Sequence, residues 1–263
     1  MPKPIMPVLG AQMYTCRDFC KDIKGVAESL QRVRAIGYTT CQASGFGKDV
    51  MAKDIAKAAD DAGITISATH CAWPRFTGEL DLLIDEHKTM RCPHAAIGSL
   101  PNEYKTWDGI KKFVEELESI AGRLAREGID FSFHNHDQEF VKRDGQTWLE
   151  ALYATADPEI LKAELDVHWV ARGGGDPVKW IRSYPGRQPL LHLKDLAVHL
   201  EDGKAQPRFA EIGEGNLNWP GILAAAMEAG VQCAYVEQDD CYGKDPFDSL
   251  AISYRNCQAM GLR

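Results

Sequence analysis

Eight short apolar runs alternate with longer stretches of helical periodicity, and this alternation constrains the fold more than any other feature of the chain. The runs span residues 7–14, 38–43, 64–70, 94–100, 129–135, 161–170, 190–193 and 233–237. Between them, apolar residues recur every three or four positions. In 18–36, for example, Phe19, Ile23, Val26, Leu30, Val33 and Ile36 form one stripe closed by Gly37. The same spacing predicts helices over 48–62, 79–91, 108–127, 147–155, 176–183, 219–229 and 246–260, with Thr147 as a cap and Pro177 just inside a helix start. The runs are nearly continuous in apolar residues, the pattern of parallel strands covered on both faces. Eight strand–helix units in 263 residues match an α/β fold of one kind, the (β/α)8 TIM barrel. No linker or composition break divides the chain, so 1–263 is expected to form one barrel domain. A doubly wound sheet would place a glycine-rich loop after its first strand, where Gln12-Met13-Tyr14-Thr15 stands instead.

The formal net charge of −8 lacks the basic footprint of a nucleic-acid binder and gives no reason to expect attachment to anionic membranes. No run approaches the roughly 18 apolar residues of a membrane span, and the first ten residues lack the apolar stretch of a leader peptide, so a cytoplasmic protein is expected. Eight scattered cysteines form no CxxC pair, which fits reduced, buried thiols.

Active sites of TIM barrels form at the C-terminal ends of the strands, so the polar residues there carry the functional reading. They are His70, His134-Asn135-His136-Asp137, Asp166, His192-Leu193-Lys194-Asp195 and Glu237-Gln238-Asp239-Asp240. Singly, each reads as readily as a helix cap or a hydrogen-bonded core residue. Together they place a His, Asp or Glu at the end of four consecutive strands about 4.8 Å apart. Carboxylates so close repel one another, and a divalent cation resolves the repulsion. Mixed nitrogen and oxygen donors suit Mn²⁺, Zn²⁺, Co²⁺ or Fe²⁺ better than Ca²⁺. One such ion is expected, with Mn²⁺ placed first and Mg²⁺ also admitted.

The chain resembles the xylose-isomerase-like TIM-barrel superfamily, in the group labelled sugar phosphate isomerases/epimerases. The residues that carry the resemblance are Phe133-His134-Asn135-His136-Asp137, Glu164-Leu165-Asp166, Leu191-His192-Leu193-Lys194-Asp195, Glu211-Ile212-Gly213-Glu214-Gly215 with Asn218-Trp219, and Val236-Glu237-Gln238-Asp239. The resemblance implies a metal set of Glu, Asp, His and Glu from strands five to eight. Its last three members fall on Asp166, His192 and Glu237. At the strand-five place this chain has His134, and His136, facing the same way by period-two alternation, is an alternative ligand or a substrate contact. The implied activity is a divalent-metal-dependent isomerase or epimerase acting on a sugar or keto-sugar through an enediolate. The alternative is a lyase or dehydratase eliminating from a 3-keto sugar, 3-keto-glycoside or inosose.

Within that reading Glu237 is the base, with His134 or His136, then Glu139, as its partner. Lys194 stabilises oxyanion charge or acts as an acid, or else simply pairs with Asp166 or Glu237. His70, His168 and Glu139 are candidate hydroxyl contacts, and Trp73, Tyr104 and Trp107 candidate stacking surfaces for a sugar, with Glu103 beside them. Gly173-Gly174-Gly175 is the one candidate phosphate cradle. The expected partner is a small carbohydrate, with a homodimer or homotetramer implied by resemblance alone. The same superfamily includes a DNA-repair endonuclease, which the acidic charge disfavours, and a non-catalytic sugar-binding barrel is the remaining reading.

Overall fold

Each apolar run pairs in parallel with the next, and the last closes on the first. In the computed structural model, which describes residues 6–262, the strands are β1 (Val8–Gln12), β2 (Thr40–Ala43), β3 (Thr65–His70), β4 (His94–Ile97), β5 (Asp130–His134), β6 (Lys162–Asp166), β7 (Leu190–Leu193) and β8 (Cys233–Val236). They hydrogen-bond in numerical order, and β1 pairs with β8, making a closed (β/α)8 barrel. Residues 1–5 and 263 of the expected domain lie outside the described residues. Within the barrel, Gly10 is required: a Cβ there would stand 2.7 Å from the ring of Tyr235, which fills the barrel interior.

Several boundaries are shorter than the sequence pattern implies, and side-chain caps explain two of them. The stretch 18–36 is a 3-10 turn, Met13–Phe19, followed by a helix that begins only at Ile23. The Asp22 carboxylate accepts from Gly25 N at 2.8 Å and sets that start. Likewise β6 stops at Asp166, whose Oδ1 accepts from His168 N and Trp169 N and opens a short helix, Val167–Arg172. His168 is therefore a helical residue, not the last residue of a strand.

The largest departure follows β7. Residues Asp195–Glu201 and Lys204–Ala210 form an antiparallel hairpin outside the barrel. Its turn is Asp202-Gly203, both residues at positive φ, the two-residue geometry that favours Asp-Gly. Asp144-Gly145 makes a second, shorter hairpin in the same way after β5. The chain returns from the longer hairpin through Glu211–Asn218, and Asp195 holds that return. Its buried carboxylate accepts from Leu196 N, Gly213 N, Gly215 N, Leu217 N and the Trp219 indole at 2.6–3.3 Å. A Cβ on residue 215 would meet Asp195 Oδ1 at 2.4 Å, which explains the glycine. Among the described residues, no helix is long and apolar enough to cross a membrane.

Candidate metal centre

Four consecutive strands deliver one polar side chain each to the same point. His134 ends β5, Asp166 ends β6, His192 lies in β7, and Glu237 follows β8. One donor atom from each of the four lies within 4.8 Å of the others, and all four residues are buried. The apolar lead-in of each strand packs against the barrel and so fixes where its polar end can stand.

Charge balance at this point depends on Lys194. Its ammonium is 1% exposed and lies 3.1 Å from Asp166 Oδ2, 2.9 Å from Glu237 Oε2 and 3.0 Å from Asp239 Oδ2. Burial disfavours the ammonium, but the three carboxylates outweigh it and raise its pKa, so it stays protonated. Burial also works against ionised Asp166 and Glu237, and Lys194 and the neighbouring imidazoles overcome it, holding both well below the usual carboxylate range. Asp239 is different: burial and Glu237 push it up to about 7.

The histidines divide into two kinds. Burial, with His192 and the other imidazoles nearby, pushes His134 down to about 3, and burial pushes His136 down to about 4. Both are neutral at pH 7, the form in which an imidazole ligates a metal or accepts a proton. For His192, Glu164 and Glu237 outweigh burial and hold the pKa up at about 10. Its Nδ1 lies 2.8 Å from Glu237 Oε2, a pair that needs a cation, proton or metal, between its two atoms.

The donor set fits a divalent cation. Both ring nitrogens of His134 are buried without a hydrogen-bond partner of ordinary geometry, and Asp166 Oδ2 has only ion pairs, the closest with Lys194 and His134. Orphaned atoms of this kind cost free energy unless something binds them. Neutral imidazole and ionised carboxylate are the donors that Mn²⁺ or Zn²⁺ takes.

The other predicted contacts fall into place around this point or away from it. His70 stacks on His192 with ring centroids 5.2 Å apart, and its Nε2 is 2.6 Å from Glu164 Oε2. His136 lies beside His134, its ring 4.9 Å away, with Nδ1 buried and unpartnered. His168 pairs through Nδ1 with the carbonyl of Asp195 and stacks on Phe209 of the hairpin, leaving Nε2 buried and free. Glu139 is tied back to His136 N at 2.6 Å and borders a cavity of about 230 Å³ that Trp107 also lines.

Two weaker suggestions are overturned. Trp73 and Tyr104 are buried in an aromatic cluster with Phe76, Phe113 and Phe131, so they build core and offer no face to a sugar. Gly173 and Gly175 make room for Phe140 and Trp180, whose rings a Cβ would strike at 2.5 and 2.8 Å. Asn135, between the two histidines, accepts from Asp166 N through Oδ1 at 3.0 Å and joins β5 to β6.

Glu164 and Asp239 stand in the motifs quoted from the sequence but were given no role there, and Gln42 and Gln12 were given none either. Glu164 had a usable signal, since it precedes Asp166 by two and shares its face. Nothing local marks Gln42 or Gln12, which matter only because β1 closes the barrel on β8 and β2 lies next to β1.

A closed eight-stranded parallel barrel with a buried His/Asp/Glu cluster at its C-terminal strand ends defines a class: TIM-barrel proteins with a polar site at the barrel top. The chain belongs to the xylose isomerase-like TIM barrel family, whose model matches residues 30–238. It is similar to a sugar phosphate isomerase/epimerase from Parabacteroides distasonis, with 27% identity, TM-score 0.81, and 98% of this chain and 96% of that one covered. It is also similar in fold to an L-ribulose 3-epimerase, with 13% identity and TM-score 0.75 over 97% and 96% of the two chains. A third likeness of fold is to a xylose isomerase-like TIM barrel protein from Mycobacterium smegmatis in complex with magnesium, with 13% identity and TM-score 0.72 over 97% and 96%. No curated protein matches the chain.

Proposed function

We propose that this barrel is a divalent-metal-dependent isomerase or epimerase of a sugar or keto-sugar. The observation that carries the reading is the buried His134–Asp166–His192–Glu237 cluster with its orphaned donors. The likenesses to a sugar phosphate isomerase/epimerase and to an L-ribulose 3-epimerase support a carbohydrate substrate. The four cluster residues would hold the ion, with Mn²⁺ favoured. When bound, it supplies positive charge beside the substrate's carbonyl and hydroxyl oxygens, which lowers the cost of placing negative charge there.

The side chains do the rest. Glu237, ionised, accepts the proton next to the carbonyl. Neutral His136, with an open Nδ1, takes or returns a proton on the strand-five side. Lys194, held protonated, stabilises oxyanion charge. His70, His168, Glu139 and Trp107 contact the rest of the sugar. Assembly as a homodimer or homotetramer belongs to the same proposal and is read by light scattering.

A second reading, elimination from a 3-keto sugar, is favoured by His134 at the strand-five place, where the resemblance implies the second glutamate of a two-glutamate proton shuttle. Incubation of the Mn²⁺-loaded protein with keto-sugars and 3-keto-glycosides in D2O decides. Deuterium entering at the carbon beside the carbonyl, with a stereoisomer or ketose–aldose pair as product, supports the isomerase. An enone or released leaving group supports the lyase. A metal-loaded protein that catalyses neither exchange nor elimination on any of them overturns both.

A further inference from the structure

Beneath the cluster lies a second polar layer, of which Gln12, Gln42 and Glu164 have no part in the proposed chemistry. Gln12 of β1, Gln42 of β2, Glu164 of β6 and His192 of β7 are all fully buried, and His70 of β3 joins them from the edge. We infer that Glu164 and Gln42 are positioning residues, which through two buried hydrogen bonds assign the Nε2–H tautomer to His192 and leave Nδ1 for the cluster.

The hydrogen bonds run outward from Glu164. Its carboxylate can only accept. Gln42 Nε2 lies 2.7 Å from Glu164 Oε1, so the amide must turn its nitrogen toward Glu164. Gln42 Oε1 then faces His192 Nε2 at 2.7 Å and Gln12 Nε2 at 2.5 Å. An amide oxygen only accepts, so His192 Nε2 must carry a hydrogen. The flipped amide would set an oxygen against the Glu164 carboxylate, and with every group buried no water can relieve that repulsion. The two ends are pinned: Gln12 Oε1 accepts from Tyr14 N at 3.2 Å, and Glu164 Oε2 faces His70 Nε2 at 2.6 Å. The remaining nitrogen of His192, Nδ1, points the other way, 2.8 Å from Glu237 Oε2 and 3.9 Å from Asp166 Oδ2.

Outer partners of this kind fix the ring orientation and tautomer of a ligating histidine, and their loss typically costs about 10–100-fold in metal affinity. The inference rests on the proposed function only for the role of His192 as a ligand; the tautomer follows from the hydrogen bonds alone.

The test is nitrogen-15 NMR of histidine-labelled protein, with His192 assigned by the signal missing in His192→Gln, in the presence and absence of Zn²⁺. The expected spectrum of the Zn²⁺-loaded protein keeps the Nε2 proton on His192 and shows Nδ1 bound. In Glu164→Gln the amide of Gln42 is free to turn, so the Nε2–H signature is lost or mixed and the Zn²⁺ dissociation constant rises by about 10–100-fold. Gln42→Leu moves both readouts the same way. A His192 bound through Nε2, or a tautomer and affinity unchanged in Glu164→Gln, overturns the inference. If both variants fail to fold, the wild-type spectrum alone decides it. If Zn²⁺ does not bind while His192 keeps its Nε2 proton in the wild type and loses it in Glu164→Gln, the metal reading falls and the positioning role stands.

Discussion

Replacing Lys194 by methionine separates the two cations that compete for this site. The ammonium makes close contacts with Asp166, Glu237 and Asp239, all at 2.9–3.1 Å, and is almost wholly buried. Methionine keeps the length and apolar stem but takes the ammonium from buried Asp166 and Glu237, leaving His192 as the one cation beside Glu237. Removing one partner of a buried ion pair costs about 3–5 kcal/mol. For a chain of this size each kcal/mol lowers the melting temperature by about 2–4 °C, so metal-free Lys194→Met should melt roughly 10 °C below the wild type. The oxygens that lose the ammonium, Asp166 Oδ2 and Glu237 Oε2, are the ones that face His134 and His192. A divalent cation at 100 times its dissociation constant stabilises the folded state by about 2.7 kcal/mol. Mn²⁺ should therefore raise the melting temperature of the variant by more than it raises that of the wild type. Thermal melts in EDTA and in Mn²⁺ read both effects. A metal-free variant within about 1 kcal/mol of wild type, or equal Mn²⁺ shifts in the two proteins, would refute the reasoning.

Three further outcomes are expected. Glu237→Gln should lower turnover on any accepted keto-sugar at least about 100-fold, the scale of a lost general base, as read by solvent deuterium exchange. Asp195→Asn keeps an oxygen for three of the five donors but turns an amide NH2 toward the others, Leu196 N and Leu217 N if the amide flips to favour the larger group; urea unfolding should show a loss of about 3 kcal/mol. His87, buried and bonded through both ring nitrogens to Leu83 O and Thr69 Oγ1, has its pKa lowered by burial. Below the unfolded value of about 6.5 the unfolded chain binds a proton that the folded chain refuses, so stability present at pH 7 is lost on acidification, by at most about 1.4 kcal/mol per pH unit, and His87→Gln should flatten that limb of the urea profile.

The barrel was legible because its signal is redundant. Eight apolar runs and eight stripes report the same architecture, so a misjudged boundary, as at Met13–Phe19, leaves it intact. The strand-end residues were legible for the same reason, since Asp166, His192 and Glu237 each end an apolar lead-in. The hairpin after β7 carried a signal that went unread: Asp202-Gly203 is a two-residue turn between seven-residue arms, and Leu196, Val198 and Leu200 alternate along the first, although Val198, Leu200 and most of the second arm are exposed. The Gln12–Gln42–Glu164 layer was not legible, because each residue gains its role from a neighbour 30 to 150 positions away. Lys194 shows the remaining limit: its pairing with Asp166 and Glu237 was one of two readings of the sequence, and a third carboxylate, Asp239, emerges only when β7 and β8 lie side by side.

The most direct test is anomalous diffraction from crystals grown with Mn²⁺, collected on both sides of the manganese absorption edge. The account predicts one peak bonded to His134, Asp166, His192 Nδ1 and Glu237. Mn²⁺ at full concentration with no peak among those four side chains, or a peak held elsewhere in the barrel, would contradict it.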